Sequence, residues 1–366
     1  MANIFDYIQW RDLSIEKVEF NEIDNLILAR LSYFPLDGVV NGEEEISITE
    51  AYEKYEKLEN KGRILQQEDT TLFPILAKST RFGKMKLTNY INKIDPKQEK
   101  QFSAVTILMP DNTIYVAYRG TDNTIVGWKE DFNMSFSELV PAQTDAANYL
   151  NNIAYKYKNN IRVGGHSKGG NLAVYAAAFC DTEIQDRIIN VYNNDGPGFS
   201  ENIVETEEYT NILNKIQTFM PQTSIIGRLL NHKEKITILE STQTGIMQHD
   251  LYSWQVLGDK FVKDEFTNSS EFIDQTISNW IKEVTPEQRE QFVSVLFEVL
   301  NSTQAETLSE ISGKWFTNAK TMIKSYKELD DKSKEALNKA VSIFVKVGKD
   351  NFRINAKNDI LKVNNK

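Results

Sequence analysis

Three scarcities limit what this chain of 366 residues is expected to be. Its only cysteine is Cys180, so no internal disulfide can form and a reducing, cytoplasmic compartment is the expected location. Its net charge is −10 and no basic stretch offsets it, which argues against a nucleic-acid partner. No run approaches the ~18 consecutive apolar residues of a membrane span, and the first residues lack the pattern of a signal peptide.

What the chain has instead is an alternation of strand and helix signals. Two β-rich runs, 103–109 and 113–118, are separated by a Pro-Asp-Asn turn and predict an antiparallel hairpin. Later strands are predicted at 161–163, 187–192, 215–220 and 235–239. Because helical segments separate them, they predict a parallel sheet and an α/β fold with the strand order of an α/β-hydrolase.

The flanking regions carry mainly helical patterns. Residues 1–100 are predicted to be mainly helical, including a segment at 72–92, and strands are expected to begin at Phe102. Strand signals stop after residue 265. The sequence therefore predicts an α/β-hydrolase domain at 1–265 and a C-terminal helical region at 266–366.

The C-terminal region has one clear helix start and one amphipathic helix. Thr285 as N-cap, Pro286 at the first helical position and Gln288 at the third predict a helix. A further helix, 333–347, combines lysines with apolar residues. Such a helix either lies on an anionic membrane surface or packs on neighbouring elements, and we favour packing.

The chemistry centres on residues 161–178, which contain G-H-S-K-G with Ser167 in the middle. A β-branched run precedes the motif and an Ala-rich helical segment follows it, which is the context of a nucleophile elbow. The helix N-terminus would then point at the serine hydroxyl. The alternative is a Gly-rich turn that holds a phosphate, but Lys168 follows the serine, whereas a phosphate-loop lysine precedes it.

A serine hydroxyl needs a base to take its proton, and histidine is the usual base. The chain has three histidines. His166 lies inside the elbow, where packing and hydrogen bonding behind the turn are its expected role, and His232 is expected at the surface. His249 follows the last predicted strand, where α/β-hydrolases carry their base, so we assign it as the general base.

The remaining site residues are predicted from the ends of other strands. Asp195 ends the strand after the elbow helix and is predicted to orient the histidine; the alternative is that it only shapes its turn. Ser224 follows the next strand, where some hydrolases place the acid. The amides of Lys168 and Thr121 are predicted to bind the oxyanion, although Thr121 and Asp122 also fit an ordinary capped turn.

These motifs together resemble a known family. They comprise residues 118–121, Trp128, Asp131, 165–170, 194–199, 248–250 and 253–254. Over residues 1–260 the chain resembles the class 3, fungal-type lipases, and most closely an uncharacterised bacterial branch of lipase-like serine hydrolases. The resemblance implies an α/β-hydrolase fold, a Ser-Asp-His triad and hydrolysis of carboxylic esters.

Two features depart from the resemblance. Class 3 lipases place the acid one strand later, near Ser224. They also usually carry an apolar residue where this chain has Lys168, and a charge there favours an anionic substrate such as a phospholipid.

The sequence therefore predicts a cytoplasmic serine esterase that forms an acyl-enzyme with a lipid or small acyl ester. Its predicted site residues are Ser167, Asp195 and His249, with Thr121 and Lys168 as oxyanion donors. No metal or organic cofactor is needed, and membrane contact would involve only the C-terminal helices. A binding or scaffold protein on a hydrolase fold, a thioesterase and a peptidase stay open as alternatives.

Overall fold

The chain divides into two compact units, Met1–Asp122 with Pro141–Glu265, and Asn123–Val140 with Phe266–Lys366. The computed structural model describes residues 2–62, 64–95, 100–121, 140–224, 226–265, 283–302, 315–335, 337–339 and 342. Asp122, Trp128 and Asp131 lie outside the described residues, as does most of the predicted helix 333–347.

An eight-stranded sheet organises the first unit, and its strands lie side by side in chain order. The strands are β1 Ile46–Ser47, β2 Lys86–Asp95, β3 Lys100–Leu108, β4 Thr113–Tyr118, β5 Asn160–His166, β6 Ile188–Asn194, β7 Ile216–Pro221 and β8 Ile236–Leu239. Neighbours from β1 to β4 pair antiparallel, and neighbours from β4 to β8 pair parallel. The prediction of an α/β fold with a leading antiparallel hairpin is confirmed.

Helices flank the sheet in the first unit. They are α1 Ile4–Trp10, α2 Glu22–Leu31, α3 Ile48–Glu56, α4 Asp69–Lys78, α5 Pro141–Lys156, α6 Lys168–Phe179, α7 Thr182–Gln185, α8 Glu201–Val204 and α9 Glu207–Ile212. Short 3₁₀ turns occupy Leu213–Lys215, Gly245–His249 and Leu251–Ser253.

The sheet separates two apolar clusters because successive strand residues point to opposite faces. In β4, Tyr115 and Ala117 pack with the N-terminal helices, whereas Ile114 and Val116 pack with α5 and α6. All four side chains are buried. A strand that is buried on both faces in this way reads as a continuous apolar run, which is how β4 reads in the sequence.

The helical prediction for residues 72–92 is wrong over its second half, and strands begin before Phe102. The segment Lys86–Asp95 is β2, which pairs antiparallel with β3 from Lys86 opposite Leu108 to Asp95 opposite Lys100. This pairing with the next strand overrides the helical pattern of the segment itself. Residues 1–100 are therefore helical only as far as α4, apart from the two-residue strand β1.

One prediction near the end of the first unit is also corrected. The strand at 235–239 is not the last, because β9 Val256–Leu257 and β10 Lys260–Phe261 form a small antiparallel pair after it.

The described part of the second unit contains α10 Pro286–Asn301 and α11 Trp315–Glu328. The predicted start of α10 is confirmed. The Thr285 hydroxyl accepts from the Gln288 amide at 3.3 Å, and the Gln288 side-chain oxygen accepts from the Thr285 amide at 3.1 Å. This reciprocal pair is a capping box. Within the described ranges, no helix is both long and apolar enough to cross a membrane.

Candidate active site

Ser167 occupies the turn between β5 and α6. Its backbone lies at φ 58° and ψ −135°, a conformation that side chains other than glycine rarely adopt. Such a conformation costs about 1–3 kcal/mol and persists only where the surroundings impose it. Here the Ser167 amide donates to the Asn194 carbonyl at 2.9 Å, and its carbonyl accepts from the Gly170 amide at 2.8 Å. The predicted strand, turn and helix around Ser167 are confirmed.

The glycines around Ser167 permit a close approach of β5 and α6. A Cβ atom on Gly165 would lie 2.3 Å from the backbone carbonyl of Gly169, and one on Gly169 would lie 2.2 Å from the Tyr118 carbonyl oxygen. Any side chain at either position would push α6 away from the sheet. The G-x-S-x-G spacing is therefore a packing requirement of this turn.

The structure brings Ser167, His249 and Asp195 together, although 82 and 54 residues separate His249 from the other two along the chain. His249 Nε2 lies 2.9 Å from Ser167 Oγ, and its Nδ1 lies 2.7 Å from Asp195 Oδ2. Ser167 and Asp195 each follow a parallel strand, so their side chains meet at the carboxyl edge of the sheet.

Asp195 is fixed from two further directions. Its amide donates to the Phe219 carbonyl of β7 at 2.8 Å, while its own φ is 55°. The Ser224 hydroxyl donates to the second carboxylate oxygen, Oδ1, and Ser224 Oγ also accepts from the Gly227 amide at 2.9 Å. Both carboxylate oxygens therefore have partners, and Asp195 is fully buried. Ser224 lies after β7, the position at which some hydrolases carry the acid of the triad. In this structure it instead donates a hydrogen bond to Asp195.

The His249 loop, residues 245–254, is held by contacts on either side of the histidine. The Trp254 indole donates to the Gln248 carbonyl at 2.8 Å, and the Tyr252 hydroxyl donates to Asp69 at 2.7 Å. Asp69 begins α4, so this loop is tied to the N-terminal helices.

Of the two predicted oxyanion donors, Lys168 is the first residue of α6, directly after Ser167. The first amides of a helix point outward along its axis, which is a position suited to bind an anion. The Lys168 side chain is buried, and its ammonium donates to the Gln101 carbonyl of β3 at 3.1 Å. The side chain thus extends to β3, which does not support the expectation that its charge selects an anionic substrate.

Thr121 lies in the loop that follows β4, directly after Gly120. A Cβ atom on Gly120 would lie 3.1 Å from the Ser167 Cβ, so this loop passes directly beside the elbow. Thr121 is half-buried. Its assignment as an oxyanion donor stays a prediction, and the same is true of the Lys168 amide.

His166 lies behind the elbow, as expected from the sequence. Its Nε2 lies 2.9 Å from the His249 carbonyl oxygen, and because a carbonyl only accepts, Nε2 carries a proton. Its Nδ1 lies 3.3 Å from the Tyr33 hydroxyl. Burial, followed by electrostatic repulsion from His249 in its protonated form and from Arg30, holds the pKa of His166 well below its usual range.

His232 is not at the surface, which corrects the prediction. Its Nδ1 lies 2.9 Å from Glu234 and its Nε2 donates to the Gly227 carbonyl at 2.7 Å. Its side chain is only 5% exposed. The charged residues that directly follow it, Lys233, Glu234 and Lys235, gave it a solvated appearance in the sequence.

Sequence reasoning missed two contacts of the site. Tyr33 comes from the end of the N-terminal helical segment, 133 residues before His166, and no local motif marks it. The hydrogen bond from Ser224 to Asp195 was also missed. Its only signal in the sequence was the position of Ser224 after β7, the strand next to β6, which ends before Asp195.

The fold and site together define an α/β protein in which a serine, a histidine and an aspartate are hydrogen-bonded in series at one edge of the sheet. The chain belongs to the Mbeg1-like family, a lipase-like family whose sequence model matches residues 76–298. The predicted lipase-like relationship is confirmed at this level, while membership of a bacterial branch stays a prediction. A search of curated proteins found no match.

Two solved structures are similar to parts of the chain. The lipase of Rhizomucor miehei, in its propeptide complex, is 14% identical with a TM-score of 0.35, over 48% of this chain and 70% of that one. M37 lipase is 13% identical with a TM-score of 0.36, over 56% of this chain and 69% of that one.

Proposed function

We propose that this protein is a serine hydrolase with an α/β-hydrolase fold that cleaves carboxylic esters through an acyl-enzyme intermediate. The observation that carries the proposal is the continuous series Ser167 Oγ, His249 and Asp195, joined at 2.9 and 2.7 Å. A buried carboxylate, an imidazole and a hydroxyl at these distances are what nucleophilic catalysis by serine requires.

In the first step, Ser167 Oγ attacks the ester carbonyl carbon and His249 Nε2 takes the hydroxyl proton. The resulting imidazolium is stabilised by Asp195, which already holds the proton on Nδ1. The carbon–alkoxy bond then breaks, and the leaving alcohol takes the proton from Nε2. Water repeats the sequence on the acyl-enzyme, releases the carboxylic acid and restores Ser167.

The negative charge of each tetrahedral intermediate needs donors beside Ser167. We assign the Lys168 amide, at the N-terminus of α6, and the Thr121 amide and hydroxyl, next to Gly120. Removing one such donor typically lowers kcat by about 10²–10³-fold. Because Lys168 acts through its backbone, only Thr121 can be tested by a simple side-chain change.

The substrate class follows from the site only in outline. The Lys168 ammonium is buried against β3, so it supplies no anion selectivity at the site. We therefore favour neutral carboxylic esters, lipid or small acyl, over phospholipids. We expect the activity in the cytoplasm, in keeping with the single cysteine, Cys180, which is buried and unpaired.

The test is a series of p-nitrophenyl esters of graded acyl length, assayed on wild type and Ser167→Ala. We expect turnover by wild type with an optimum in chain length, and no turnover above background by the variant. Equal rates for the two proteins, or none for wild type with any ester, would leave a non-catalytic binding protein as the better description.

A further inference from the structure

A tyrosine–histidine pair lies behind the residues of the proposed reaction. Tyr33 and His166 are both buried and neither is needed for proton transfer. The two side chains nevertheless contact both loops that flank Ser167, namely the β4 loop, residues 119–121, and the His249 loop.

Tyr33 joins the β4 loop to the elbow. Its hydroxyl oxygen accepts from the Gly120 amide at 3.1 Å and donates to the His166 carbonyl at 3.0 Å. The amide after Gly120 belongs to Thr121, the proposed oxyanion donor. The position of that donor therefore depends on the peptide that the Tyr33 hydroxyl holds.

His166 joins the elbow to the His249 loop. Its Nε2–H donates to the His249 carbonyl at 2.9 Å, so it fixes the backbone from which the His249 ring projects. The two rings also pack together, with centroids 4.6 Å apart and planes inclined by 33°. His249 is thus restrained at its carbonyl, on one ring face and at both ring nitrogens.

We infer that Tyr33 and His166 form one positioning unit that sets both the oxyanion loop and the general base against Ser167. The inference rests on the proposed function and extends it to two residues that do not touch the reacting atoms. Its physical basis is that a nucleophile, base and oxyanion donor on three separate loops act together only when their spacing is held within a fraction of an ångström.

The neutral state of His166 suits this role. In the proposed reaction His249 becomes a cation, and a second positive charge stacked against it would oppose proton transfer from Ser167. The other cation near His166 is Arg30, whose guanidinium lies over the Tyr33 ring at 4.6 Å and pairs with Asp69. Trp254, another ring packed against His166, carries no charge.

The test uses the 366-residue chain with three test substitutions and one control substitution. His166→Phe keeps a flat ring and removes the donor, whereas His166→Gln places an amide N–H near the position of Nε2. Tyr33→Phe removes a single oxygen atom. Tyr149→Phe is the matched control, because its hydroxyl is also buried with two partners, Thr106 and the Asn89 carbonyl, but on the β2–β3 side of the sheet.

Each protein is titrated with a fluorophosphonate to count reactive sites, and kcat and KM for the best p-nitrophenyl ester are expressed per site. We expect His166→Phe to lower kcat by about 10–100-fold with KM within about twofold, because misplacement of about 1 Å has effects of that size. His166→Gln should recover most of the loss, Tyr33→Phe should lower kcat by about 10-fold, and Tyr149→Phe should match wild type.

Unchanged kcat per site in both His166→Phe and Tyr33→Phe would overturn the inference while leaving the proposed function intact. So would His166→Gln as impaired as His166→Phe at equal thermal stability, because the donor would then be irrelevant. If His166→Phe does not fold, kcat per reactive site in Tyr33→Phe and His166→Gln tests the inference instead. A wild type that neither reacts with the probe nor hydrolyses any ester would instead refute the proposed function, and the inference with it.

Discussion

Two histidine–carboxylate pairs in this molecule have nearly the same geometry and different surroundings. His249 lies 2.7 Å from Asp195, and His232 lies 2.9 Å from Glu234. In both pairs Nδ1 faces the carboxylate, which is buried. The pairs differ in what the other ring nitrogen meets.

His249 Nε2 faces the Ser167 hydroxyl, whereas His232 Nε2 donates to the Gly227 carbonyl. A carbonyl has no proton to give, so the His232 ring only links the Glu234 side chain to the Gly227 backbone. The His249 side chain is also 24% exposed against 5% for His232, which leaves room for a substrate. A paired histidine thus becomes a candidate base only where its second nitrogen reaches an ionisable hydroxyl.

The largest expected difference between the pairs is in turnover. His249→Gln should lower kcat for a p-nitrophenyl ester by at least about 10⁴-fold, because loss of the base in a serine triad has effects of this order. His232→Gln should leave kcat within about threefold of wild type. Comparable losses in the two folded variants would contradict the assignment of His249.

The two carboxylates should also differ in their effect on turnover, with Asp195 needed and Glu234 not needed. Asp195→Asn is expected to lower kcat by about 10²–10⁴-fold, since an amide no longer stabilises the imidazolium or selects its tautomer. Glu234→Gln should change thermal stability while kcat stays close to wild type. Steady-state kinetics on both variants, with circular dichroism to establish folding, makes the comparison. An active Asp195→Asn enzyme would show that this residue only shapes its turn.

The hydroxyl groups behind the carboxylates provide a finer test. Ser224 donates to Asp195, and Thr218 donates to Glu234 at 2.5 Å. Ser224→Ala should lower kcat by about 10-fold, because one buried oxygen of Asp195 loses its donor. Thr218→Val removes the equivalent donor from the other pair and should leave kcat unchanged. Equal kcat in the two variants would contradict a role for Ser224 at the site.

The smallest expected effect is on the pH dependence of stability. Burial raises the pKa of Glu234, but hydrogen bonds and charge from His232, with hydrogen bonds from Thr218 and Tyr209, lower it to about 2. Because the folded pKa lies below the ordinary value near 4.5, this group stabilises the fold above pH 4.5, and the contribution is lost as pH falls from 4.5 towards 2.

Urea denaturation of wild type and Glu234→Gln at pH 7, 4 and 3 measures this contribution. Wild type should lose stability more steeply below pH 4.5, by at most about 1.4 kcal/mol per pH unit relative to the variant. If the free energy of unfolding falls with pH in parallel for the two proteins, the pKa of Glu234 is not lowered in the folded state.

The elbow could be predicted from sequence because its determinants are local. The strand before Ser167, the glycines at 165 and 169 and the Ala-rich helix lie within one short segment. The strand order then brings the residue after β6, Asp195, to the same edge. With only three histidines in the chain, His249 was the one in the right place.

What could not be predicted depends on contacts that a segment makes with residues outside its own local pattern. Lys86–Asp95 becomes a strand because it pairs with β3, and the buried His232 ring is held by the Glu234 carboxylate at Nδ1 and by the Gly227 carbonyl at Nε2. Tyr33 reaches the elbow only because α2 packs against the sheet. None of these contacts leaves a periodic or motif signal in the sequence.

The central claim is that His249 makes the Ser167 hydroxyl nucleophilic. Peptide mass spectrometry after fluorophosphonate treatment of wild type, His249→Gln and His232→Gln tests it most directly. The account predicts an adduct on Ser167 in wild type and His232→Gln, and none in His249→Gln over the same time. An adduct that forms on Ser167 equally fast in His249→Gln, or that forms on a different residue in wild type, would contradict it.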